Sequence, residues 1–309
     1  MSDRSSLTSQ AVKIELALGG VRLRALSVGG DGEPVVILHG FTGSAESMES
    51  VAESLRVNYA VFLLELIGHG GSESPPDVEH YEMNACADQI VRAVEMLGLC
   101  RPHLLGYSMG GRAAIAAAVR RPDHFASLVL VGATAGIADR DLRRERIQAD
   151  RALADRIERG DLDRFIDEWM ALPIFSTQSS LGESALARAR AQRLRNQPAG
   201  LANSLRGMGA GAQAPLFDEL DRIKVPVLLV VGGLDLKFQT IASSLKTSFH
   251  DAKVEIIPNV GHAAHLEAPA EFGEITSSFL ESVGGLASTD ASRAADERIR
   301  NKPSQPSSL

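Results

Sequence analysis

Three side chains have the chemistry of a serine-based catalytic triad: Ser108, Asp235 and His262. Ser108 lies in Gly106-Tyr-Ser-Met-Gly110, between an apolar stretch and a run of small residues that predicts a helix. A Gly-x-Ser-x-Gly segment in that context is typical of a nucleophile elbow, a strained turn that lifts the serine hydroxyl above the edge of a sheet. The alternative is an accidental match in a loop.

The other two triad candidates, Asp235 and His262, each follow a predicted strand, and the chain order is Ser, Asp, His. At the carboxyl edge of one sheet the three side chains would meet. The imidazole could then take the serine proton while the carboxylate stabilises the imidazolium. The alternative interpretation makes Asp235 a turn residue and His262 a structural loop histidine.

An oxyanion hole is expected next to this serine, formed by two backbone N–H groups. One belongs to Met109, directly after the nucleophile, and the other to Phe41, in the loop His39-Gly-Phe-Thr-Gly43 that follows a predicted strand. Because both donors are backbone groups, the assignment depends on topology and not on side-chain type. His39 and His69 are expected to order loops.

Short apolar segments that alternate with helical patterns predict an α/β fold with a mostly parallel, doubly wound sheet, opened by an antiparallel hairpin. We predict strands at 12–18, 21–28, 34–38, 59–64, 102–105, 127–131, 225–231 and 253–257. Helices are predicted at 44–55, 83–97, 109–121, 139–159, 162–172, 184–195, 198–207 and 267–280.

The alternation breaks in a helical segment that is rich in arginine and lacks lysine, which predicts a cap inserted into the core. Both ends of the chain lack apolar periodicity and are expected to be disordered. The predicted division is a disordered N-terminus at 1–10, a core at 11–132 and 216–282, a helical cap at 133–215, and a disordered tail at 283–309.

Composition narrows the class of protein. The 309 residues carry a formal net charge of −7 and are 44% apolar, which supports a substantial core and argues against a nucleic-acid partner or an electrostatic membrane anchor. No segment has the apolar length of a signal peptide or a membrane span, so we expect a cytoplasmic protein. Cys86 and Cys100 lie outside metal-ligand spacing and are expected to be reduced core thiols.

Over residues 12–280 the chain resembles the α/β-hydrolase superfamily. Within it, the chain looks like the 2-succinyl-6-hydroxy-2,4-cyclohexadiene-1-carboxylate synthases of menaquinone biosynthesis. Four segments carry that resemblance: His39-Gly-Phe-Thr-Gly43, Gly106-Tyr-Ser-Met-Gly-Gly-Arg112, Arg206-Gly-Met-Gly-Ala-Gly211 and Gly261-His-Ala-Ala-His-Leu-Glu267. One departure is Glu65-Leu-Ile-Gly-His69, where these proteins usually have Asp-x-Pro-Gly-His.

Arg112 supports this resemblance on physical grounds, because its position favours the binding of an anion. It follows Ser108 by four residues on the same predicted helix, so its guanidinium should stand one turn from the nucleophile. A cation near a helix N-terminus opposes the helix dipole, which favours a bound carboxylate as compensation. The alternative is a structural ion pair with Glu95 or Asp123.

The resemblance implies further substrate contacts. Arg146 and Arg195 match arginines of the cap that hold substrate carboxylates, Trp169 matches a residue of the pocket wall, and Tyr107 matches a residue whose hydroxyl faces the substrate. For Trp169, packing within the cap is an equal alternative. Lys237 adds positive potential near Asp235 or is a surface residue.

The implied reaction is the elimination of pyruvate from 2-succinyl-5-enolpyruvyl-6-hydroxy-3-cyclohexene-1-carboxylate, a tricarboxylate, with the triad supplying the base. No metal or cofactor is expected, and the partner is a small molecule bound by a monomer or weak homo-oligomer. Two alternatives remain: a serine hydrolase that cleaves an ester or a carbon–carbon bond through a covalent intermediate, and a receptor on the same fold that binds without turnover.

Overall fold

The computed structural model describes residues 6–300, with side chains for residues 6–284. Eight strands form one sheet in the order β1-β2-β4-β3-β5-β6-β7-β8. Strands β1 and β2 are antiparallel, β2 pairs antiparallel with β4, and every further neighbour is parallel. The strands are β1 (Val12–Ala17), β2 (Arg22–Ser27), β3 (Pro34–Leu38), β4 (Ala60–Glu65), β5 (His103–Tyr107), β6 (Leu128–Val131), β7 (Val227–Gly232) and β8 (Ala252–Ile257). This is the mostly parallel, doubly wound sheet that the sequence predicts.

Helices cover both faces of the sheet and form the inserted segment. They are α1 (Leu7–Gln10), α2 (Glu49–Leu55), α3 (Met83–Met96), α4 (Met109–Arg120), α5 (Arg140–Arg159), α6 (Leu162–Met170), α7 (Glu183–Arg193), α8 (Pro198–Met208), α9 (Leu236–Ser248), α10 (Ala264–Glu267) and α11 (Pro269–Arg300). Four 3₁₀ segments lie between them, at Ala45–Met48, Val78–Tyr81, Pro173–Leu181 and Phe217–Arg222. Among the described residues, no helix is long and apolar enough to cross a membrane.

Two large apolar clusters lie on opposite faces of the sheet because strand side chains alternate. On β3, Val36 and Leu38 join the cluster that includes α3 and α4, whereas Val35 and Ile37 join the cluster that includes α2 and α11. The central strands are therefore buried on both sides, which explains their unbroken apolar sequences.

The inserted segment has a small apolar core of its own. Ile157 of α5, Phe165 and Ile166 of α6, and Leu201 and Leu205 of α8 belong to one cluster. Phe41 and Trp169 pack against it, so this helical cluster meets the loop after β3. The cap is thereby placed over the carboxyl edge of the sheet.

Some predicted boundaries differ from the structure. Residues Leu7–Gln10 form a helical turn, not a disordered segment, because Ser6 Oγ and Thr8 N donate to Glu49 Oε1 at 2.7 and 3.0 Å. Helix α9 was not predicted, since its residues lack a strong apolar stripe. Cys86 is buried as expected, but Cys100 is exposed, because it lies in the turn before β5.

The predicted disordered tail coincides in part with α11, which continues to Arg300. The side chains of 285–300 and all of 301–309 lie outside the described residues, as do residues 1–5. The alanines, glutamate and arginines of this stretch have a high helix propensity, which suits a helix even without an apolar stripe.

Candidate active site

The turn between β5 and α4 holds Ser108 in a strained conformation. Ser108 has φ +50°, a region that non-glycine residues rarely occupy. Its N–H donates to Val131 O at 2.8 Å, which ties the turn to the neighbouring strand β6. A Cβ on Gly110 would lie 2.5 Å from His39 O, so only glycine lets α4 approach the loop after β3. The turn therefore has the geometry of the nucleophile elbow that the sequence predicts.

Asp235 and His262 lie beside this serine, each in the loop after a parallel strand. His262 Nδ1 lies 2.8 Å from Asp235 Oδ2, and His262 Nε2 lies 3.2 Å from Ser108 Oγ. A carboxylate only accepts hydrogen bonds, so the ring proton sits on Nδ1 and leaves Nε2 free to accept the serine proton. The side chains of His262 and Asp235 are 3% and 9% exposed.

The loop that carries His262 is held by a carboxylate that the sequence analysis did not single out. Glu267 accepts from the N–H groups of Gly261 and Ala263 at 2.7 and 3.3 Å. The imidazole also contacts three aromatic rings, with centroid distances of 4.5 Å to Phe238, 5.4 Å to Tyr107 and 6.2 Å to Phe175. These contacts fix the orientation in which the ring meets both triad partners.

Phe41 and Met109, the expected oxyanion donors, both lie at the cavity beside Ser108. The Phe41 loop is ordered by His39, whose Nε2 accepts from Leu66 N at 3.1 Å while Nδ1 donates to Gly40 O at 2.8 Å. His69 contacts the Phe41 ring edge at a centroid distance of 5.8 Å. Both histidines therefore hold the loop that carries Phe41, which is the structural role that the sequence predicts for them.

Burial lowers the pKa of several histidines near the site. Desolvation, with a smaller contribution from His39, lowers the pKa of His69 to about 3. His265 lies under the ring of Tyr107 at a centroid distance of 4.3 Å, and desolvation followed by repulsion from His262 lowers its pKa to about 3. These imidazoles are neutral around pH 7.

A cavity of about 560 Å³ opens in front of Ser108, between the sheet edge and the cap. Its polar lining includes Ser108, Arg112, Arg146, Lys237 and His262. Its apolar lining includes Phe41, Trp169, Ile174, Phe175 and Phe238. Such a cavity suits a small molecule that has both a ring and charged groups. Among the described residues, no group of His, Cys, Asp or Glu side chains is arranged to hold a metal ion.

Arg112 is buried at this cavity, and no carboxylate of the described residues pairs with it. It is 8% exposed, and its Nη1 donates to Gln213 Oε1 at 2.8 Å. Burial, followed by repulsion from Arg146, lowers its pKa to about 10, so it remains a cation at neutral pH. The alternative partners do not reach it: Glu95 pairs with Arg121, and Asp123 forms no ion pair within the described part of the chain.

Arg146 lines the same cavity from α5. Its Nε donates to the buried carboxylate of Asp150 at 2.7 Å, and its side chain is 43% exposed. Asp150 Oδ2 also accepts from Gly211 N at 3.4 Å. Arg146 is therefore partly neutralised within the protein, in contrast to Arg112.

Two expected substrate contacts lie elsewhere. Arg195 is 58% exposed and forms an ion pair with Glu46 on the protein surface, so it does not line the cavity. The reason is that α7 ends at Arg193, and the turn that follows directs Arg195 outward. Tyr107 is also outside the lining, because its ring packs between His262 and His265. Desolvation raises the pKa of its hydroxyl well above the usual value.

Trp169 and Lys237 do lie at the cavity. The Trp169 indole meets Phe41 edge-to-face at 5.1 Å and packs on the cap core, so it both lines the cavity and contributes to packing within the cap. Its buried Nε1 has no hydrogen-bond partner among the described residues. Lys237 is exposed at the rim, with Nζ 5.9 Å from the centre of the Phe238 ring.

Glu65, the departure from the family motif, is fully satisfied in the structure. Its carboxylate accepts from Arg24 Nε and Gly71 N, each at 2.7 Å, and from Ala45 N at 3.0 Å. The longer side chain thus reaches both the loop after β4 and the 3₁₀ segment before α2. The loop is therefore well packed despite the departure.

Two further residues of the site escaped the sequence analysis. Gln213 has no signal of its own, because a glutamine after a glycine-rich stretch is typical of many loops. Glu267 belongs to the segment Gly261-His-Ala-Ala-His-Leu-Glu267, and its spacing from His262 could have indicated a capping carboxylate.

Comparison with known proteins places this geometry in context. The family model described as alpha/beta hydrolase fold matches residues 33–269. A putative 2-succinyl-6-hydroxy-2,4-cyclohexadiene-1-carboxylate synthase from Bacillus subtilis (strain 168) is 40% identical over 251 residues, which cover 81% of this chain and 91% of the relative.

Two solved structures are similar over most of their length. MenH from S. aureus has a TM-score of 0.78 and 30% identity, covering 82% of this chain and 94% of that one. A malate-bound thermophilic esterase from Thermogutta terrifontis has a TM-score of 0.76 and 26% identity, covering 89% and 99%.

Proposed function

The chain belongs to the α/β-hydrolase fold family and, within it, to the 2-succinyl-6-hydroxy-2,4-cyclohexadiene-1-carboxylate synthases, and from that premise we propose that it is a lyase of menaquinone biosynthesis. It eliminates pyruvate from 2-succinyl-5-enolpyruvyl-6-hydroxy-3-cyclohexene-1-carboxylate and releases the cyclohexadiene product. The substrate loses a ring proton and a carbon–oxygen bond, and water is not consumed.

One observation carries the proposal: a buried arginine that pairs with no carboxylate of the described residues stands beside a hydrogen-bonded Ser-His-Asp set in the same cavity. Arg112 is 8% exposed and bonded to a neutral amide. The Asp150 carboxylate acts on this cation only from beyond ion-pair distance, and a buried cation without a direct counter-ion costs free energy unless an anion binds it. A substrate with three carboxylates supplies that anion.

Ser108 acts as the base in this reaction. His262 Nε2, 3.2 Å from Ser108 Oγ, accepts the hydroxyl proton, and the serine oxygen removes the ring proton next to the succinyl ketone. Asp235 stabilises the imidazolium through Nδ1. His262 then returns its proton toward the departing enolpyruvyl group, which leaves as pyruvate, so no acyl-enzyme forms.

The backbone N–H groups of Phe41 and Met109 hold the enolate oxygen that develops on the succinyl ketone. Arg112 and Arg146 orient the ring through its carboxylates, with Lys237 adding positive potential at the rim. Trp169 and Phe175 contact the apolar part of the ring. Tyr107 acts indirectly, because it packs against His262 and does not line the cavity.

A serine hydrolase is the second candidate, favoured by the similarity to the Thermogutta terrifontis esterase. The same triad could attack an ester carbonyl through Ser108 and form an acyl-enzyme.

The test follows two products in parallel. Purified protein is incubated with the tricarboxylate while pyruvate is measured by a coupled lactate dehydrogenase assay, and separately with p-nitrophenyl butyrate. Pyruvate release far above the rate without protein, with slow ester hydrolysis, is expected. Fast ester hydrolysis without pyruvate release would establish the hydrolase instead, and binding without either product would indicate a receptor.

A further inference from the structure

The partner of Arg112 is unusual for a buried arginine. Buried guanidinium groups normally pair with carboxylates, but the only side-chain acceptor that Arg112 uses in the described part of the chain is Gln213 Oε1, at 2.8 Å. Gln213 is 1% exposed and Arg112 is 8% exposed. The bond therefore orients the cation without neutralising it.

Gln213 is placed by the glycine-rich loop after α8. Its N–H donates to Gly209 O at 3.1 Å, and Gly211 N donates to Asp150 on α5. A Cβ on Gly211 would lie 2.5 Å from Ile147 N, so only glycine lets the loop approach α5 this closely. The segment Arg206-Gly-Met-Gly-Ala-Gly211 thus places Gln213 within hydrogen-bond distance of Arg112.

The Asp150 carboxylate, whose charge also acts on Arg112, is already engaged by other groups. Asp150 accepts from Arg146 Nε at 2.7 Å and from Gly211 N at 3.4 Å, and it forms no ion pair with Arg112. The two arginines of the cavity consequently differ: Arg146 has an internal counter-ion, whereas Arg112 has a neutral acceptor.

We propose that Gln213 is a positioning residue that determines specificity for anionic substrates, by holding the Arg112 guanidinium toward the cavity while leaving its charge for a substrate carboxylate. This inference rests on the proposed function, since it concerns the same site. Gln213 need not touch the substrate, and its amide nitrogen has no hydrogen-bond partner among the described residues.

The chemistry of glutamine and glutamate makes this role separable from packing. Gln213→Glu keeps the shape and the acceptor but supplies a counter-ion to Arg112. It should therefore stabilise the free protein and compete with a bound anion. Gln213→Met keeps the approximate volume but removes the acceptor, so it should destabilise the free protein while Arg112 remains charged.

The experiment measures binding of tricarballylate, a small tricarboxylate, by calorimetry, together with melting temperature and the kcat and KM of pyruvate release. Gln213→Glu is expected to weaken tricarballylate binding and raise KM by about 10- to 100-fold, the range of a hydrogen bond to a charged group. Its melting temperature should equal or exceed that of the wild type. Gln213→Met should melt lower and lose less than about 5-fold in affinity.

Gln148→Glu is the matched control, because Gln148 is exposed on α5 and the change adds the same charge outside the cavity. It should leave tricarballylate affinity unchanged. Affinity that follows melting temperature, with Gln213→Met weaker than Gln213→Glu, would overturn the inference in favour of a packing role. If wild-type protein binds tricarballylate but releases no pyruvate, the proposed function fails while the affinity order still decides the role of Gln213.

Discussion

The triad edge (Ser108, Asp235 and His262) and the anion side of the cavity (Arg112 and Arg146) are built by different means. At the triad edge every functional side chain is bonded to another, from Asp235 through His262 to Ser108. On the anion side, Arg112 is buried with only a neutral acceptor, and Arg146 is half-exposed beside Asp150.

The two regions show that burial can have two different consequences for polar side chains. The triad edge is satisfied before any substrate arrives, so it is ready to move a proton. On the anion side, Arg112 keeps a positive charge without a direct counter-ion among the described residues, so an anion that binds there is expected to add stability. Substitutions at the triad edge should change the rate of the chemical step. Substitutions on the anion side that remove a positive charge should weaken substrate binding and raise the stability of the free protein.

The largest effect is expected at the triad edge. Ser108→Ala removes the basic oxygen and leaves the backbone donors in place, so kcat for pyruvate release should fall by at least roughly 10³-fold with little change in tricarballylate affinity. A coupled pyruvate assay and calorimetry measure the two quantities. Rates near those of the wild type would rule out serine as the base.

On the anion side, Arg112→Met should raise KM by roughly 10- to 100-fold, because a charged hydrogen bond to the substrate is lost. The same variant should melt at a higher temperature than the wild type, since a buried cation without a counter-ion is replaced by an apolar chain. Steady-state kinetics and thermal unfolding test the pair of outcomes. A lower melting temperature with unchanged KM would show that Arg112 is structural.

A smaller increase in KM is expected when arginines of the cap are replaced. Arg146→Gln should raise KM by about 10-fold at most, since Asp150 already neutralises part of its charge. Arg195→Gln serves as the matched comparison and should change KM by less than about 2-fold, because Arg195 pairs with Glu46 at the surface. Equal effects of the two variants would contradict the arrangement described above.

The smallest effect concerns acid stability. The pKa of His69 is lowered to about 3 from an unfolded value of 6.5, so the unfolded chain binds the extra proton between these values. The stability that neutral His69 contributes is complete above pH 6.5 and is lost as the pH falls toward 3. One such group lowers the unfolding free energy by about 2 kcal/mol at pH 5.

His69→Gln should therefore flatten the difference in urea stability between pH 7.5 and pH 5, whereas His250→Gln, at an exposed position, should not. The cap, residues 133–215, contains no histidine, so its local stability should depend less on pH. A pH dependence unchanged by His69→Gln would show that folding does not lower the pKa of this imidazole.

Much of the fold could be predicted, because apolar strands buried on both faces leave a direct signature in the sequence. The parallel strands of the core differ from the prediction by at most two residues at each boundary. Helix α9 was missed because its amphipathic pattern is weak, and the turn at Leu7–Gln10 because one carboxylate, Glu49, holds it from a distant part of the chain.

The sequence by itself predicted that Ser108, Asp235 and His262 would meet at one sheet edge, since the end of a parallel strand fixes the edge at which a following side chain emerges. Only the tertiary structure decided which arginines face the cavity. Arg146 and Arg195 both lie in the arginine-rich cap, but Arg146 lies within α5, whereas Arg195 follows the end of α7 in a turn that directs it to solvent.

The choice of a neutral partner for Arg112 was likewise decided by the packing of a distant loop, 101 residues along the chain. Strand order constrains backbone positions over the whole sheet, whereas the environment of a charge depends on which side chains happen to lie within a few ångströms of it. Local sequence patterns therefore predict the strand order well, but they contain almost no information about which side chains surround a given charge.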